Sequence, residues 1–540
     1  ISTGSEPLNR EDMLLRSDKD EWIAAEQAEL AGLRKLGCWV RVPRSSATTK
    51  VLNPGWVYKD KPPAPPLPGR KKARLCCKGY AEDVRFLETF APVVRFETVR
   101  AALAEAAHQR HSLWSCDIAQ AYILAPLQPG QKVFINDPED PKGDTVLALR
   151  RSLYGLKSSA RNFNNHLHSW LTTKAGFTRS TEDYGMYTRG TGSARIVLLL
   201  YVDDVLSLCS DDTMVRWKKE FDASKGGKWD IRDYGEPRVF LGCDIDRDRK
   251  SGTISYSQHT YITNIAQRFN LTDTPTVLTP FEPGTVLTAH DKDSQRPCSD
   301  PGLYRSKIGQ IMYCCVQSRP DVAFEVKELS RHLTAPTHTH DKAADRVIRY
   351  LYHTRYLGLT LGRSAEGLIG YTDANFGNCL DTRRSTSGHC FLFRGAPISW
   401  SSRLQSSVSQ STTEAEIRSL NAGTLDAMWL RRMLADLTGA PIQGPTPMAQ
   451  DNVACEMWTR NPHHHAKQKH IARSELSVRE QVTEFKTVSI HLVPTHEQLS
   501  DIFTKALPAP AHRKAVEQLL GPVRQTTAQH AQLVDDANFG

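Results

Sequence analysis

Ile196-Val-Leu-Leu-Leu-Tyr201 is an unbroken apolar run, and Val202-Asp203-Asp204 closes it before the chain turns apolar again at Val205. Burying unpaired carboxylates costs far more than one hydrophobic strand returns, so an acidic doublet at this place asks for a compensating partner. A divalent cation is the simplest one, because clustered aspartates holding Mg²⁺ are a general means of moving a phosphoryl group. The run therefore reads as a strand, Asp203 and Asp204 as its turn, and Val205 to Cys209 as the returning strand. Asp117 lies at the end of another candidate strand, Ser112 to Ile118, so three carboxylates can meet on one sheet.

Around this hairpin, 540 residues suffice for two to four domains, each with its own core. The net charge of +9 comes from 69 basic and 60 acidic residues and suggests a polyanionic partner. Its distribution is more telling: Lys59, Lys61, Arg70, Lys71, Lys72, Arg74 and Lys78 stand against the single acid Asp60. The 12 cysteines contain no Cys-x-x-Cys and include two adjacent pairs, Cys76-Cys77 and Cys314-Cys315. That usage fits reduced thiols in an intracellular protein, and argues against a disulfide scaffold or a zinc knuckle. No secretory signal is present, and no apolar run approaches the ~18 residues of a membrane span. Ile1 in place of Met reads as the start of a fragment or processed product.

Residues 1–20 are polar and read as loose. Helices are expected over Glu21 to Leu36, Val99 to His108, Ala160 to Lys174 and Thr213 to Phe221, with strands over Val239 to Ile245 and Thr253 to Ser257. Lys61 to Gly69 is too rich in proline for regular structure. Residues 272–300 read as a linker, followed by helices over Tyr304 to Val316, Val322 to Leu333 and Asp341 to Tyr356. A new domain opens near Gly367 with the strand Leu368 to Thr372 and a hairpin ending at Trp400. The long helix Thr412 to Thr438, a linker over Pro441 to Pro447 and the strand Ser489 to Val493 complete it. Residues 509–540 carry no pattern that requires a fold.

Words in a fixed order extend the hairpin signal: Trp56-Val-Tyr-Lys59, Lys72-Ala-Arg-Leu75, Lys78-Gly-Tyr80, Glu88-Thr-Phe-Ala-Pro-Val93, Asp117 to Tyr122, Leu153-Tyr-Gly-Leu-Lys157 and Tyr201-Val-Asp-Asp204. In these the chain resembles the reverse transcriptases of copia-type long-terminal-repeat retrotransposons. The resemblance implies an α+β multidomain fold, a right-hand polymerase of fingers, palm and thumb. Asp117 and Asp203 would hold the metals, with Asp204 in support. Tyr122 would be the steric gate against a ribose 2′ hydroxyl, core packing being the alternative. Lys72 and Arg74 would neutralise the triphosphate, or contact nucleic-acid backbone generically. Lys157 would lie near template or nucleotide. The chain departs from the family at Ala125-Pro126, where a glycine turn is usual, and at Ser158, where Gln is usual.

A second set of words, Gly370-Tyr-Thr-Asp-Ala374, Arg383 to His389, Ser399-Trp-Ser-Ser402, Thr413-Glu-Ala-Glu416, Asp451-Asn452 and Asp501 to Lys505, resembles the ribonuclease H domain of the same elements. It implies an α/β ribonuclease H-like domain whose acids Asp373, Glu416, Asp451 and Asp501 hold metal for hydrolysis of RNA in an RNA–DNA hybrid. Asn375 replaces an aspartate, and the stretch after Lys469-His-Ile471 loses an Asp and a His. His463-His-His465 with His470 reads as an exposed run ahead of a zinc site.

The domains expected are a loose 1–20, fingers and palm at 21–260, thumb and connection at 261–366, the ribonuclease H-like domain at 367–508, and a tail, disordered or not, at 509–540. Cofactors implied are two Mg²⁺ per active site, with Mn²⁺ as substitute. Partners implied are an RNA template, a DNA primer, the RNA–DNA hybrid, deoxynucleoside triphosphates, and the element's capsid and integrase, with no membrane. Lys59, Lys61, Lys78, Lys327, Arg331 and Arg349 are candidate backbone contacts. The expected setting is a cytoplasmic virus-like particle, the nucleus, or both, for the C-terminal part of a Pol polyprotein. Two other readings stay open: an impaired or domesticated copy that only binds nucleic acid, and an enzyme with ribonuclease H activity alone.

Overall fold

In a computed structural model the hairpin forms as Ile196–Tyr201 and Asp204–Cys209, paired from Val197↔Leu208 to Tyr201↔Asp204. The structure describes residues 6–61, 69–85, 87–290, 296–460 and 473–521. Strand Ser112–Ile118 pairs with the far edge of the hairpin, and the six-stranded antiparallel sheet runs in the order Ile231–Gly235, Ser112–Ile118, Asp204–Cys209, Ile196–Tyr201, Met186–Arg189, Thr178–Arg179. Both faces are covered, which explains the unbroken apolar run. Val197 and Leu199 pack with the helix Phe96–His108, while Ile196, Leu198 and Leu200 pack with the helices Ser159–Thr173 and Asp211–Phe221.

Ahead of this sheet, helix Lys19–Lys35 lies on the two-stranded ribbon Pro54–Lys61 and Arg70–Cys77. A four-stranded sheet in the order Trp39–Pro43, Thr145–Leu149, Phe134–Asn136, Val51–Leu52 completes that region. Beyond the first sheet, Val239–Phe240, Cys243–Asp248, Thr253–Ser257 and Leu359–Leu361 form another, the last strand arriving after helices Pro301–Gln317, Ala323–Ser330 and His338–His353. That pairing carries the chain across the boundary expected at 260. The final sheet runs Ala396–Leu404, Thr386–Phe393, Ile369–Asn375, Thr446–Gln450, Val488–Leu492, antiparallel over the first three strands and parallel over the last two. Helix Thr412–Thr438 packs on it, capped by Ser411, whose hydroxyl accepts the Glu414 amide at 3.1 Å.

Four expectations need correction. The strand expected over Val239 to Ile245 is a hairpin: Leu241 at φ 50° and Gly242 at φ 73° turn the chain so that Phe240 faces Cys243. Residues 1–20 are not wholly loose, because Arg10–Leu14 is a helix capped by Asn9, with Met13 buried. The tail is not patternless either: Ala509–Leu520 is a helix burying His512, Ala515, Val516, Leu519 and Leu520. The linker after Pro441 is shorter than expected, since a strand begins at Thr446. Residues 463–465, 470 and 472 of the histidine-rich stretch, and everything beyond 521, lie outside the described residues. All 12 cysteines are free. No helix among the described residues is long and apolar enough to cross a membrane.

Candidate active sites

The first site forms where three strands end together. Asp117 and Asp204 are register partners, and Tyr201 faces Asp204 across a two-residue tip of Val202 and Asp203. Val202 takes φ 60°, a left-handed conformation that a β-branched residue rarely adopts and that a tight two-residue hairpin demands. The Ile118 amide donates to the Asp203 carbonyl at 3.1 Å, which ties the tip to the strand carrying Asp117. Burial first, then the charge of Asp203, raises the Asp117 pKa, while Arg232, Lys72 and Arg74 act to lower it. Asp204 is pushed up to about 6 by burial and by Asp203 and Asp117.

Asp117 and Asp203 open into a cleft of about 360 Å³ whose lining includes Lys72, Arg74, Tyr122, Tyr154 and Arg232. Lys72 and Arg74 alternate on the strand Arg70–Cys77, which aims both at one face. The Arg74 guanidinium lies 5.2 Å from the Tyr154 ring centre. Tyr122 follows Gln120 at φ 55° and is braced edge-on by Tyr154 at 5.8 Å and Phe163 at 6.5 Å. Asp204 instead lines an adjoining cavity with Tyr234, Val239 and Leu241. Gly155 at φ 86° has no room for a side chain, since a Cβ would stand 2.2 Å from the Cys77 carbonyl oxygen.

Not every expected residue reaches this cleft. Lys157 does not line it: its amide donates to Glu82 at 2.7 Å and its Nζ to the Glu82 carbonyl at 3.3 Å. Ser158 is buried and donates to the same carboxylate at 2.9 Å, so the departure at this position has a local structural use. Ala125 is buried as well, and its carbonyl accepts the Ser152 amide at 2.9 Å. Lys59 pairs with Glu6 at 3.0 Å, Lys78 is exposed, and the side chain of Lys61 lies outside the described residues. Lys327 and Arg331, expected as backbone contacts, are engaged within the protein. Lys327 is nearly buried against Glu328 and donates to Thr386 at 2.9 Å; Arg331 pairs with Glu328 and Asp381, each at 2.7 Å. Arg349 is half-buried.

The second site is more compact. Ligand oxygens of Asp373, Glu416 and Asp451 all lie within 4.8 Å of one another, the one such group among the described residues. Asp373 stands on the central strand Ile369–Asn375, Glu416 at the start of the long helix, and Asp451 just past the strand Thr446–Gln450. Asp373 accepts from the Thr504 hydroxyl, and Glu416 accepts from Gln450 at 3.3 Å. Burial, then Asp373 and Asp451, pushes Glu416 up to about 9. Asp501 is raised to about 6 by burial and Asp373, and Lys505 pairs with it at 2.9 Å. Three crowded hard-oxygen donors, Asp373 and Glu416 buried and Asp451 partly exposed, suit a divalent cation such as Mg²⁺ or Mn²⁺. Asp117, Asp203 and Asp204 suit one chemically, but do not draw into such a group among the described residues.

Sequence reasoning missed Arg232, Glu29 and Gln120 in the first cleft and Gln450 beside the second site. Arg232 reaches Asp117 only through strand pairing, and Glu29 only through helix packing, neither of which spacing reveals.

Residues 38–283 match the family described as reverse transcriptase (RNA-dependent DNA polymerase). The chain is 31% identical over 525 residues to the retrovirus-related Pol polyprotein from transposon TNT 1-94 of Nicotiana tabacum, covering 94% of this chain and 38% of that protein. It is also 31% identical over 312 residues to a transposon Ty5-1 protein of Saccharomyces cerevisiae, covering 56% of this chain and 96% of that protein. The chain spans about a third of the length of the curated Pol polyproteins it matches. A foamy viral protease-reverse transcriptase, solved with double-stranded DNA, has a related fold, with TM-score 0.52 and 12% identity over 87% of this chain and 69% of that one. The mixed α/β fold is thus reverse-transcriptase-like, and the chain belongs to the copia-type retrotransposon Pol polyproteins.

Proposed function

We propose that this chain is a two-site enzyme. It extends a DNA primer on an RNA or DNA template at Asp117, Asp203 and Asp204, and hydrolyses RNA in RNA–DNA hybrids at Asp373, Glu416, Asp451 and Asp501. The observation that carries the first half is a cleft in which Asp117 and Asp203 face Lys72 and Arg74 beside a braced Tyr122. Opposed carboxylates and cations suit a deoxynucleoside triphosphate bound through metal: the acids would hold Mg²⁺ or Mn²⁺, two per site, and the cations would meet the phosphates. Such ions supply charge neutralisation for phosphoryl transfer. Lys72 acts as a point charge and Arg74 as a fork. Tyr122, fixed by two aromatic edges, bars a ribose 2′ hydroxyl. Residues 21–260 then serve as fingers and palm, 261–366 as thumb and connection, and 367–508 as the ribonuclease H-like domain. Template, primer and hybrid are the partners proposed, with the element's capsid and integrase in a virus-like particle or the nucleus.

The test is incorporation of dTTP on poly(rA)/oligo(dT) with Mg²⁺ or Mn²⁺, beside a folded Asp203→Asn variant. Wild-type incorporation at least about a hundredfold above the variant is expected. Equal incorporation would remove polymerisation from the account. One observation favours the narrower reading of ribonuclease H activity alone: only the second site's acids already lie at metal-holding distance. Hybrid cleavage without primer extension is its signature.

A further inference from the structure

The word Asp501-Ile-Phe-Thr-Lys505 brings a cation to the nuclease acids along with a carboxylate. Its segment is stitched to the central strand Ile369–Asn375 by side-chain hydrogen bonds. The Gln498 amide donates to the Thr372 carbonyl at 3.0 Å, and the Thr504 hydroxyl donates to the Asp373 carboxylate. The Asn375 amide donates to the Thr504 carbonyl at 3.3 Å. That last bond needs a side-chain N–H, so the asparagine standing where an aspartate is usual helps to fix this segment. These stitches hold Asp501, three residues before Thr504, yet its carboxylate does not join the group of Asp373, Glu416 and Asp451. Its Oδ1 faces the Lys505 ammonium at 2.9 Å instead, and the Lys505 amide donates to the Asp501 carbonyl at 3.2 Å. The two partners differ in freedom: the Asp501 side chain is 15% exposed and that of Lys505 41%. Asp501 is the fixed member, and Lys505, on a flexible stem that reaches water, is the one that can leave. A cation bound at the three clustered acids leaves this pair in place. A second cation that uses Asp501 must part it from Lys505, because two positive charges repel strongly at that distance.

We propose that Lys505 is a positioning residue that gates the second divalent cation of the nuclease site by holding Asp501 until that cation displaces its ammonium. The first cation then binds tightly at Asp373, Glu416 and Asp451, and the second weakly through Asp501. This rests on those four acids being the metal site of the nuclease. Arginine keeps the charge that competes with the cation, whereas methionine keeps an unbranched stem and removes the charge.

Mn²⁺ binding is measured by calorimetry on the full chain carrying Asp117→Asn and Asp203→Asn, so that the polymerase cleft contributes no acid pair. The same chain is titrated with Lys505→Met, Lys505→Arg or Glu416→Gln added, and thermal melting and the Mg²⁺ dependence of hybrid cleavage are followed alongside. With Lys505 in place, one tight event and a second at least about tenfold weaker are expected. Lys505→Met tightens the second event about tenfold and leaves the first within about threefold. In that variant the Mg²⁺ concentration for half-maximal cleavage falls about fivefold, and the melting temperature with Mn²⁺ stays within about 2 °C. Lys505→Arg keeps the second event weak. A second event unchanged in Lys505→Met, with the first intact, overturns the gate alone. So do two equally tight events with Lys505 in place, or a Lys505→Met chain that loses the first event and its melting temperature together. If Glu416→Gln removes no Mn²⁺ event, the metal site itself is overturned, and this role with it.

Discussion

Glu416 and Glu325 show how a single buried carboxylate sets a pH response. Glu416 is held up to about 9 by burial and its acidic neighbours, so near neutral pH it keeps a proton that a divalent cation must displace. Titration of Mn²⁺ at pH 7.5, in buffers of different ionisation enthalpy, is expected to release about one proton per binding event at this site. Affinity rises with pH, and Glu416→Gln abolishes the release; release unchanged by that variant contradicts the assignment. Glu325, in the helix Ala323–Ser330, is fully buried with Oε2 unpartnered, and burial pushes it up to about 8. Because the folded value lies above the ordinary ~4.3, the folded state holds the extra proton. The stability this contributes is complete below about pH 4 and is lost as pH rises through about 8. Glu325→Gln should therefore melt progressively higher than wild type from pH 5 to pH 9. Parallel melting curves across that range would contradict it.

Elements were legible where one physical rule decided them. The strands beside Asp203 and the helix Thr412–Thr438 stand where apolar pattern and capping put them. Leu241-Gly242 hid a hairpin inside an apolar run, because the turn depends on two left-handed residues and not on polarity. The helix Ala509–Leu520 was invisible because its partners come from distant parts of the chain: Arg363 donates to the Gln518 carbonyl at 2.7 Å, and the His512 ring meets Tyr350 at 5.4 Å. Leu519 is fully buried there. Leu519→Ala should lower stability by about 2–4 kcal/mol in denaturant unfolding. An effect below about 0.5 kcal/mol would mean that the helix does not dock. At the sites, the seven acids were readable as words, and so were Lys72, Arg74 and Tyr122 of the cleft wall; Arg232 was not, because it arrives by pairing with the strand of Asp117, and Glu29 was not, because it arrives by helix packing on the strand Arg70–Cys77.

Across the whole molecule one buried cation joins three regions. Arg100, 2% exposed on the helix Phe96–His108, donates to the carbonyls of Ile398 at 2.8 Å, Val316 at 2.7 Å and Gln317 at 3.1 Å. Its guanidinium stands 4.0 Å from the Trp400 ring centre, and two of its acceptors close the C-terminal end of the helix Pro301–Gln317. Arg195 donates to the carbonyls of Asp436 and Leu437 at the far end of the helix Thr412–Thr438, which carries Glu416. Arg100→Met orphans three carbonyls and should cost about 2–5 kcal/mol, splitting one calorimetric transition into two. A single unshifted transition would show that the regions are not coupled there.

Asp203 lies at a hairpin tip of the six-stranded sheet and Glu416 on the helix packed against the final sheet, so under the proposed function single substitutions should separate two chemistries in one chain. The direct measurement follows a labelled RNA–DNA hybrid with a recessed primer, scoring extension and RNA cleavage together in wild type, Asp203→Asn and Glu416→Gln. Asp203→Asn should lose extension and keep cleavage, and Glu416→Gln should lose cleavage and keep extension. Extension surviving Asp203→Asn, or cleavage surviving Glu416→Gln, contradicts the account.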